Sequence, residues 1–301
     1  MFDFSTVTQW FDALLRQTCG LSDFWAILIE CVLVGLIVLT LYALIAMFMI
    51  YFERKVCAFF QCRLGPMRVG KWGIFQVLAD VLKMLIKEIF GVDRSDKFLY
   101  ALAPFLTIIA SVGTFSFLPW NKGAVVLCGS MQLSDIIAAQ TGPWNWLIIQ
   151  GHIPAIVAFL VFLIAGNAEA NRGPFDLAEA ESELTAGYHT EYSGMGFGYF
   201  YLAEYLNLVV ISGLASTIFL GGWAPLNIGI EGFDTLMNYI PGFVWFAAKT
   251  LLVIWILMWV RWTFPRLRID HILKLEWKYI MPCMLITLVV MTACVALGLT
   301  F

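Results

Sequence analysis

Six stretches of the chain stay apolar for long enough to cross a bilayer, which takes about 20 residues of helix. They run over 25–52, 98–119, 146–168, 197–220, 240–262 and 279–299. Between the first two, Gly65-Pro66 and Gly73 divide a basic loop from a second helix that does not span. In it Gln76, Asp80, Lys83 and Lys87 follow at spacings of four, three and four and so form one polar stripe, while Ile74, Val77, Leu78, Val81, Leu85 and Ile89 fill the other faces. The plain reading is an amphipathic helix lying in the headgroup layer; the functional one is that the stripe lines a pocket for a ligand with a polar head and an apolar tail. At the N-terminus Phe4, Val7, Phe11 and Leu14 recur at helical spacing beside Asp3 and Asp12, which suits a short surface helix rather than a signal peptide. One stretch breaks the pattern. After Trp120-Asn121-Lys122-Gly123 comes an apolar stub, 124–131, that is too short to span. It reads either as an interfacial turn or as the end of a helix whose beginning is absent.

Composition makes the membrane reading firm. Apolar residues are 61% and charged ones 13% of 301 residues, where a soluble domain averages about 45–50% and about 25%; mean hydropathy is +0.85. The expected architecture is an all-α integral membrane protein, a single polytopic domain over 1–301, with amphipathic interfacial helices. Fifteen of the 18 Lys and Arg lie after the odd-numbered spans, which by the positive-inside rule puts those loops in the cytoplasm and both termini on the outer side. A net charge of −3 argues for no nucleic-acid partner. The seven cysteines form no C-x-x-C pair and the three histidines are far apart, so no metal or iron–sulfur site is expected within the chain.

Chemistry concentrates in 169–204, which holds seven of the 21 acids: Glu169, Asp176, Glu179, Glu181, Glu183, Glu191 and Glu204. Only Arg172 and His189 oppose them. Carboxylates that repel one another in a partly buried setting take up protons near neutrality, as a proton relay requires; a hydrated loop would make the same cluster an ordinary acidic surface. Glu204 lies within an apolar run, and Phe175, Leu177, Leu184, Tyr188 and Tyr192 do not suit a solvated linker. Lys249 lies well inside the fifth run, as an intramembrane base or as a lysine snorkelling to the interface. Glu30, near the start of the first run, reads as reaching the headgroups.

These segments carry a resemblance. Glu53-Arg54-Lys55-Val56, Gln61-x-Arg63-x-Gly65-Pro66, Val69-Gly70, Gly73, Gln76, Ala79-Asp80, Lys83 and Lys87-Glu88 resemble the signature of the quinone-site membrane subunit of respiratory complex I, the H-subunit family of NADH–quinone oxidoreductase. The run from Glu169 to Leu184, with Asn171-Arg172-Gly173-Pro174-Phe175-Asp176 inside it, then Gly187 to Gly194 and Ala203-Glu204-Tyr205-Leu206-Asn207, resembles its second signature. Trp259-Val260-Arg261, with Pro265-Arg266-Leu267-Arg268 and Asp270, resembles a third. Membrane-bound hydrogenases share the first motif and the Pro-Phe-Asp element, whereas the Gly-Tyr-His-Thr-Glu-Tyr-Ser-Gly run resembles the quinone-linked branch.

The resemblance implies roles. The segment 53–97 is a cytoplasmic quinone-site loop and helix, with Arg54, Gln61, Arg63, Gln76, Asp80 and Lys83 toward the quinone. The segment 169–195 is a proton-path loop, its residues Glu169, Asp176, Glu179, Glu181, Glu183, Glu191 and Glu204, joined by Lys249 and Arg261. The chain is then part of an enzyme without being catalytic alone: quinone, ubiquinone or menaquinone, is the substrate, and no metal, flavin or iron–sulfur cluster is bound here. Partners would be cluster-bearing and quinone-site peripheral subunits and antiporter-like membrane subunits, in a bacterial inner membrane. Family members have eight spans, so the stub marks two absent helices between Trp120 and Leu127, about 45–50 residues including their loop. The gap is either a natural deletion or a segment missing from the sequence; loss of a Ser-Tyr-Glu carboxylate with it favours the second. The other classes are a hydrogenase anchoring subunit and a secondary transporter, the latter disfavoured because no internal repeat pairs the two halves. On the proton-path reading, Glu181→Gln with Glu183→Gln lowers proton pumping while reductase activity with an artificial acceptor changes less; unchanged pumping removes both from the path.

Overall fold

Glycine and proline set the helix limits in the computed structural model, which describes residues 12–14, 16, 22–88, 96–116, 133–176 and 191–296. Every regular element among the described residues is helical, and the chain is an all-α integral membrane protein. It divides into two compact units, 1–48 and 49–301. The helices are α1 (Asp23–Phe60), α2 (Gln76–Ile86), α3 (Lys97–Ser116), α4 (Leu133–Ala139), α5 (Leu147–Gln150), α6 (His152–Glu169), α7 (Met195–Phe219), α8 (Glu231–Tyr239), α9 (Gly242–Thr263), α10 (Ile269–Leu273) and α11 (Met281–Ala296). Among the described residues, five stretches are long and apolar enough to cross a membrane: α1, α6, α7, α9 and 269–293. At the place of the second predicted span, α3 has a shorter apolar part, Lys97–Ser111. The N-terminal surface helix falls largely outside the described residues; the stub and its junction fall wholly outside.

Several boundaries differ from expectation for local reasons. No breaker separates Phe52 from Phe60, so α1 continues through Glu53-Arg54-Lys55 and the basic loop begins only at Gln61. The polar stripe ends one residue early, because Lys87 leaves the helix in an extended conformation. The third predicted span splits between α5 and α6 at Gly151 and His152 (φ 51°); Pro154 has no N–H to continue a helix through that point. Ahead of Pro282 the chain takes a π-helical turn over Lys274–Ile280, which spares the carbonyl four residues before the proline from its ring. Helix α8 was not evident as an element; Asp234 ties its start by accepting from the backbone N–H groups of Ile228 at 2.9 Å and Gly229 at 3.1 Å.

In the unit 49–301, α7 is the hub. It packs against α2, α3, α4, α5, α6 and α9, and two-thirds of its most apolar window is buried. A helix apolar all round belongs in such a centre. Small and polar residues make the approaches close, as expected where lipid offers no hydrophobic gradient between helices. Ser111 of α3 donates to Asn207 at 2.9 Å, and the hydroxyls of Ser216 and Thr250 lie 3.2 Å apart between α7 and α9. A Cβ on Gly166 would come within 2.5 Å of Ile211. Gly166→Val therefore pushes α6 from α7: a thermal melt of the solubilised protein should drop by several degrees, and by less for Gly166→Ala. An unchanged melt would show that this approach is not needed.

Candidate functional site

The turn Ala170–Asp176, leaving the end of α6, carries a charged side chain into the interior. Asn167 of α6 donates to the Gly173 carbonyl at 2.9 Å, and the N–H of Leu267 donates to the Pro174 carbonyl at 3.0 Å. Held so, Arg172 is 2% exposed. Its Nη2 donates to Glu53 Oε2 at 3.1 Å, its Nε donates to Glu204 Oε1, and its guanidinium carbon lies 4.3 Å from the centre of the Tyr205 ring. Arg261 of α9 completes the cluster, with Nη1 3.0 Å from Glu53 Oε1 and 3.5 Å from Glu204 Oε1. Tyr205 shares a cavity wall with Glu53. Two carboxylates thus face two guanidiniums, drawn from α1, α7, α9 and the turn. Burial alone would lower the pKa of Arg172, but Glu53 and Glu204 outweigh it and the net shift is upward. A raised pKa in the fold means stability that is fully present below the unfolded value, so Arg172 keeps its charge at any ordinary pH.

Beside the cluster lies a cavity of about 590 Å³ whose wall includes Glu53, Arg54, Cys57, Arg63, Asp176, Tyr201, Tyr205, Arg261, Trp262 and Arg266. Glu53, Tyr205 and Arg261 belong to both cavity wall and cluster. Arg54 pairs with Asp80 at 2.5 Å, Gln76 donates to Asp80 at 3.2 Å, and Arg63 donates to Gln61 at 2.7 Å. Asp176 pairs with Arg266 at 3.2 Å.

The predicted residues therefore separate. Arg54 and Arg63 line the cavity; Gln61, Gln76 and Asp80 stand behind them, and Lys83 is exposed on α2. Asp176, Glu204 and Arg261 belong to the cavity or the cluster. Glu169 is exposed beside a smaller hollow of about 220 Å³ that Glu276 also lines. Glu191 is exposed, its carbonyl accepting from the Tyr100 hydroxyl. Lys249 is buried elsewhere, donating to the Ala224 carbonyl at 2.8 Å with Nζ 4.7 Å from the centre of the Trp146 ring. Glu179, Glu181, Glu183 and His189 lie outside the described residues. Mutual repulsion does not describe the buried acids seen here: Asp176 and Glu204 are each paired with arginine. Sequence reasoning left out Glu53, Arg172, Tyr205 and Arg266 as site residues. Arg172, the one arginine among seven acids, was the available signal. Among the described residues no three His, Cys, Asp or Glu side chains converge on a metal position.

The family model described as NADH dehydrogenase matches residues 33–127 and 122–292. The H subunits of NADH-quinone oxidoreductase from Bacteroides thetaiotaomicron and Bacteroides fragilis are each 51% identical to this chain, and that of Phocaeicola vulgatus 49%, over the full length of both partners. The chain belongs to the H-subunit family of NADH-quinone oxidoreductase. The two matched segments overlap at 122–127. Alignment to these relatives takes 362 positions against 301 residues, so at least 61 positions have no counterpart in this chain, more than the 45–50 expected.

Removing one partner of a buried ion pair costs about 3–5 kcal/mol, because the other charge stays behind. Arg172→Met should accordingly reduce the amount of folded chain in membranes severely. Adding Glu53→Gln, which removes a charge of the opposite sign, should restore part of it. Equal damage in single and double variants would show that the pairing does not hold the turn.

Proposed function

We propose that this chain, a membrane subunit of NADH-quinone oxidoreductase, is where quinone reduction meets proton movement. The observation that carries this is the sharing of Glu53 and Arg261 between the cavity wall and the buried cluster. A group arriving in the cavity touches the same side chains that balance the interior charge. NADH oxidation, flavin and iron–sulfur clusters belong to partner subunits, with the cluster-bearing and quinone-site peripheral subunits meeting this chain at the cavity. The substrate is a quinone, ubiquinone or menaquinone. Its head approaches the wall formed by Arg54 and Arg63; Asp80, supported by Gln76, orients Arg54, and Gln61 orients Arg63. Lys83 contributes positive charge along the same helix.

Reduction to quinol takes two electrons and two protons. Asp176 stands in the cavity wall, and Glu204 lies next inward, one carboxylate oxygen, Oε2, buried without a hydrogen-bond partner among the described residues. That oxygen is a place where a proton could be held. From there the path includes Glu169, Glu179, Glu181, Glu183 and Glu191, with Arg261 and Lys249 as its basic members, and leads toward antiporter-like membrane subunits. The chain is multi-pass in a bacterial inner membrane with both termini outside, as the placement of its basic residues supports.

The test is inhibition of NADH oxidation by a quinone analogue in the assembled complex. Arg63→Ala and Asp80→Ala each weaken inhibition by roughly tenfold, the value of one charged hydrogen bond, while reduction of an artificial acceptor by the partner subunits persists. Inhibition unchanged in both variants would take these residues out of the quinone site.

A further inference from the structure

Residues 61–75 do not project freely from the end of α1; the loop folds back along it. Lys55 donates to the carbonyls of Pro66 at 2.8 Å and Leu64 at 3.2 Å. The Tyr51 hydroxyl donates to the Trp72 carbonyl at 3.0 Å. Tyr51 is the next-to-last residue of the first apolar run, directly before Glu53-Arg54-Lys55. That is the level at which α1 leaves the hydrocarbon, so the loop tip is returned to the headgroup layer.

What the tip presents is two-sided in chemistry. Trp72 is 66% exposed, Phe75 57% and Ile74 56%. Arg68 and Lys71 beside them are exposed too, and neither has a carboxylate partner among the described residues. The shape of the tip is fixed by its glycines. Trp72 adopts a left-handed backbone (φ 62°) between Gly70 and Gly73, both at positive φ. A Cβ on Gly73 would come within 2.3 Å of the Pro66 carbonyl oxygen, and one on Gly70 within 2.4 Å of the Phe75 ring. Two further bonds, from the N–H of Gly73 to Gly70 and from that of Phe75 to Val69, each 3.2 Å, close the turn. An indole is thus held out on a turn its own backbone does not favour, rather than tucked against the chain. Helix α2 continues the surface with Leu78, Leu82 and Leu85 exposed.

We infer that the tip Arg68–Phe75 is a docking surface for anionic phospholipid headgroups. Trp72, Ile74 and Phe75 enter the acyl boundary and Arg68 and Lys71 meet the phosphates. Aromatic side chains with a polar edge suit that layer, and basic residues at its surface are attracted to anionic lipid. This rests on the membrane-spanning architecture and not on the quinone site, so either reading can fail without the other.

The experiment uses the assembled complex in lipid nanodiscs with a photoreactive phosphatidylglycerol or, in a parallel arm, a photoreactive phosphatidylcholine, and maps the labelled peptides. The phosphatidylglycerol probe should label 68–75, with labelling reduced on the order of tenfold in Arg68→Gln/Lys71→Gln, as expected for two basic groups near a screened surface. Trp72→Ala should weaken labelling by both probes. Artificial-acceptor reductase activity reports that each variant is assembled. Equal labelling by both probes in the unaltered complex, or phosphatidylglycerol labelling that survives Arg68→Gln/Lys71→Gln, overturns the proposal. So does a segment that neither probe reaches, which would mean that a partner protein covers it.

Discussion

A guanidinium taken out of water must be met by negative charge, and in the unit 49–301 of this protein that requirement organises the packing. Arg172 is buried nearly completely, and its two carboxylates come from positions 119 and 32 residues away in sequence. Satisfying it fixes the end of α1, the middle of α7 and the turn after α6 at one place; Arg261 adds the end of α9. Such an arrangement gains little stability over a well-packed apolar core, because desolvating four charges offsets most of their attraction. Its value is specificity. An alternative packing of these helices that separates the four groups leaves bare charges in a dry interior.

The hub helix serves the same constraint. Because α7 is enclosed on many sides, Glu204 and Tyr205 can be reached by neighbours approaching from different directions. Close approach needs small residues at the crossings, as at Gly166 against Ile211. Large apolar side chains of the same unit are exposed instead: Leu252 and Trp255 of α9 and Leu160 of α6.

Spans were legible because hydrocarbon forces about 20 consecutive apolar residues on any helix that crosses it. The break at His152 and the wide turn before Pro282 were less so, since a proline signals a disturbance without saying how the chain will absorb it. In the site, Glu204 and Lys249 stood out as charges inside apolar runs, and both are buried. Glu53 did not, because an acid at the edge of a run looks like one that faces headgroups; the extension of α1 to Phe60 and the arrival of two arginines turn it inward. No local pattern could reveal a pairing across 119 positions. Lys249 shows the converse: its burial was readable, whereas its partners, the Ala224 carbonyl in the turn after α7 and the Trp146 ring just before α5, are distant in sequence. The resemblance supplied what periodicity could not, the family to which the chain belongs.

In the proposed function, the sharing of Glu53 between cavity and cluster sets how strongly the two can influence one another. Two unit charges about 8 Å apart interact by roughly 2 kcal/mol at an effective dielectric of ~20. That is a factor of about thirty in a protonation equilibrium. The cluster is balanced, two acids against two bases, so an added negative charge in the cavity meets no net charge of the cluster that would already favour or oppose it. On the proposed function, fixed charges alone can couple the cavity to the cluster without movement of a helix. Solvent limits this effect: a wide, watery cavity would raise the effective dielectric and shrink it in proportion. The pairing of Arg54 with Asp80 and of Arg266 with Asp176 helps to keep charge fixed to the wall, so the field at the cluster is governed by what enters rather than by wandering side chains.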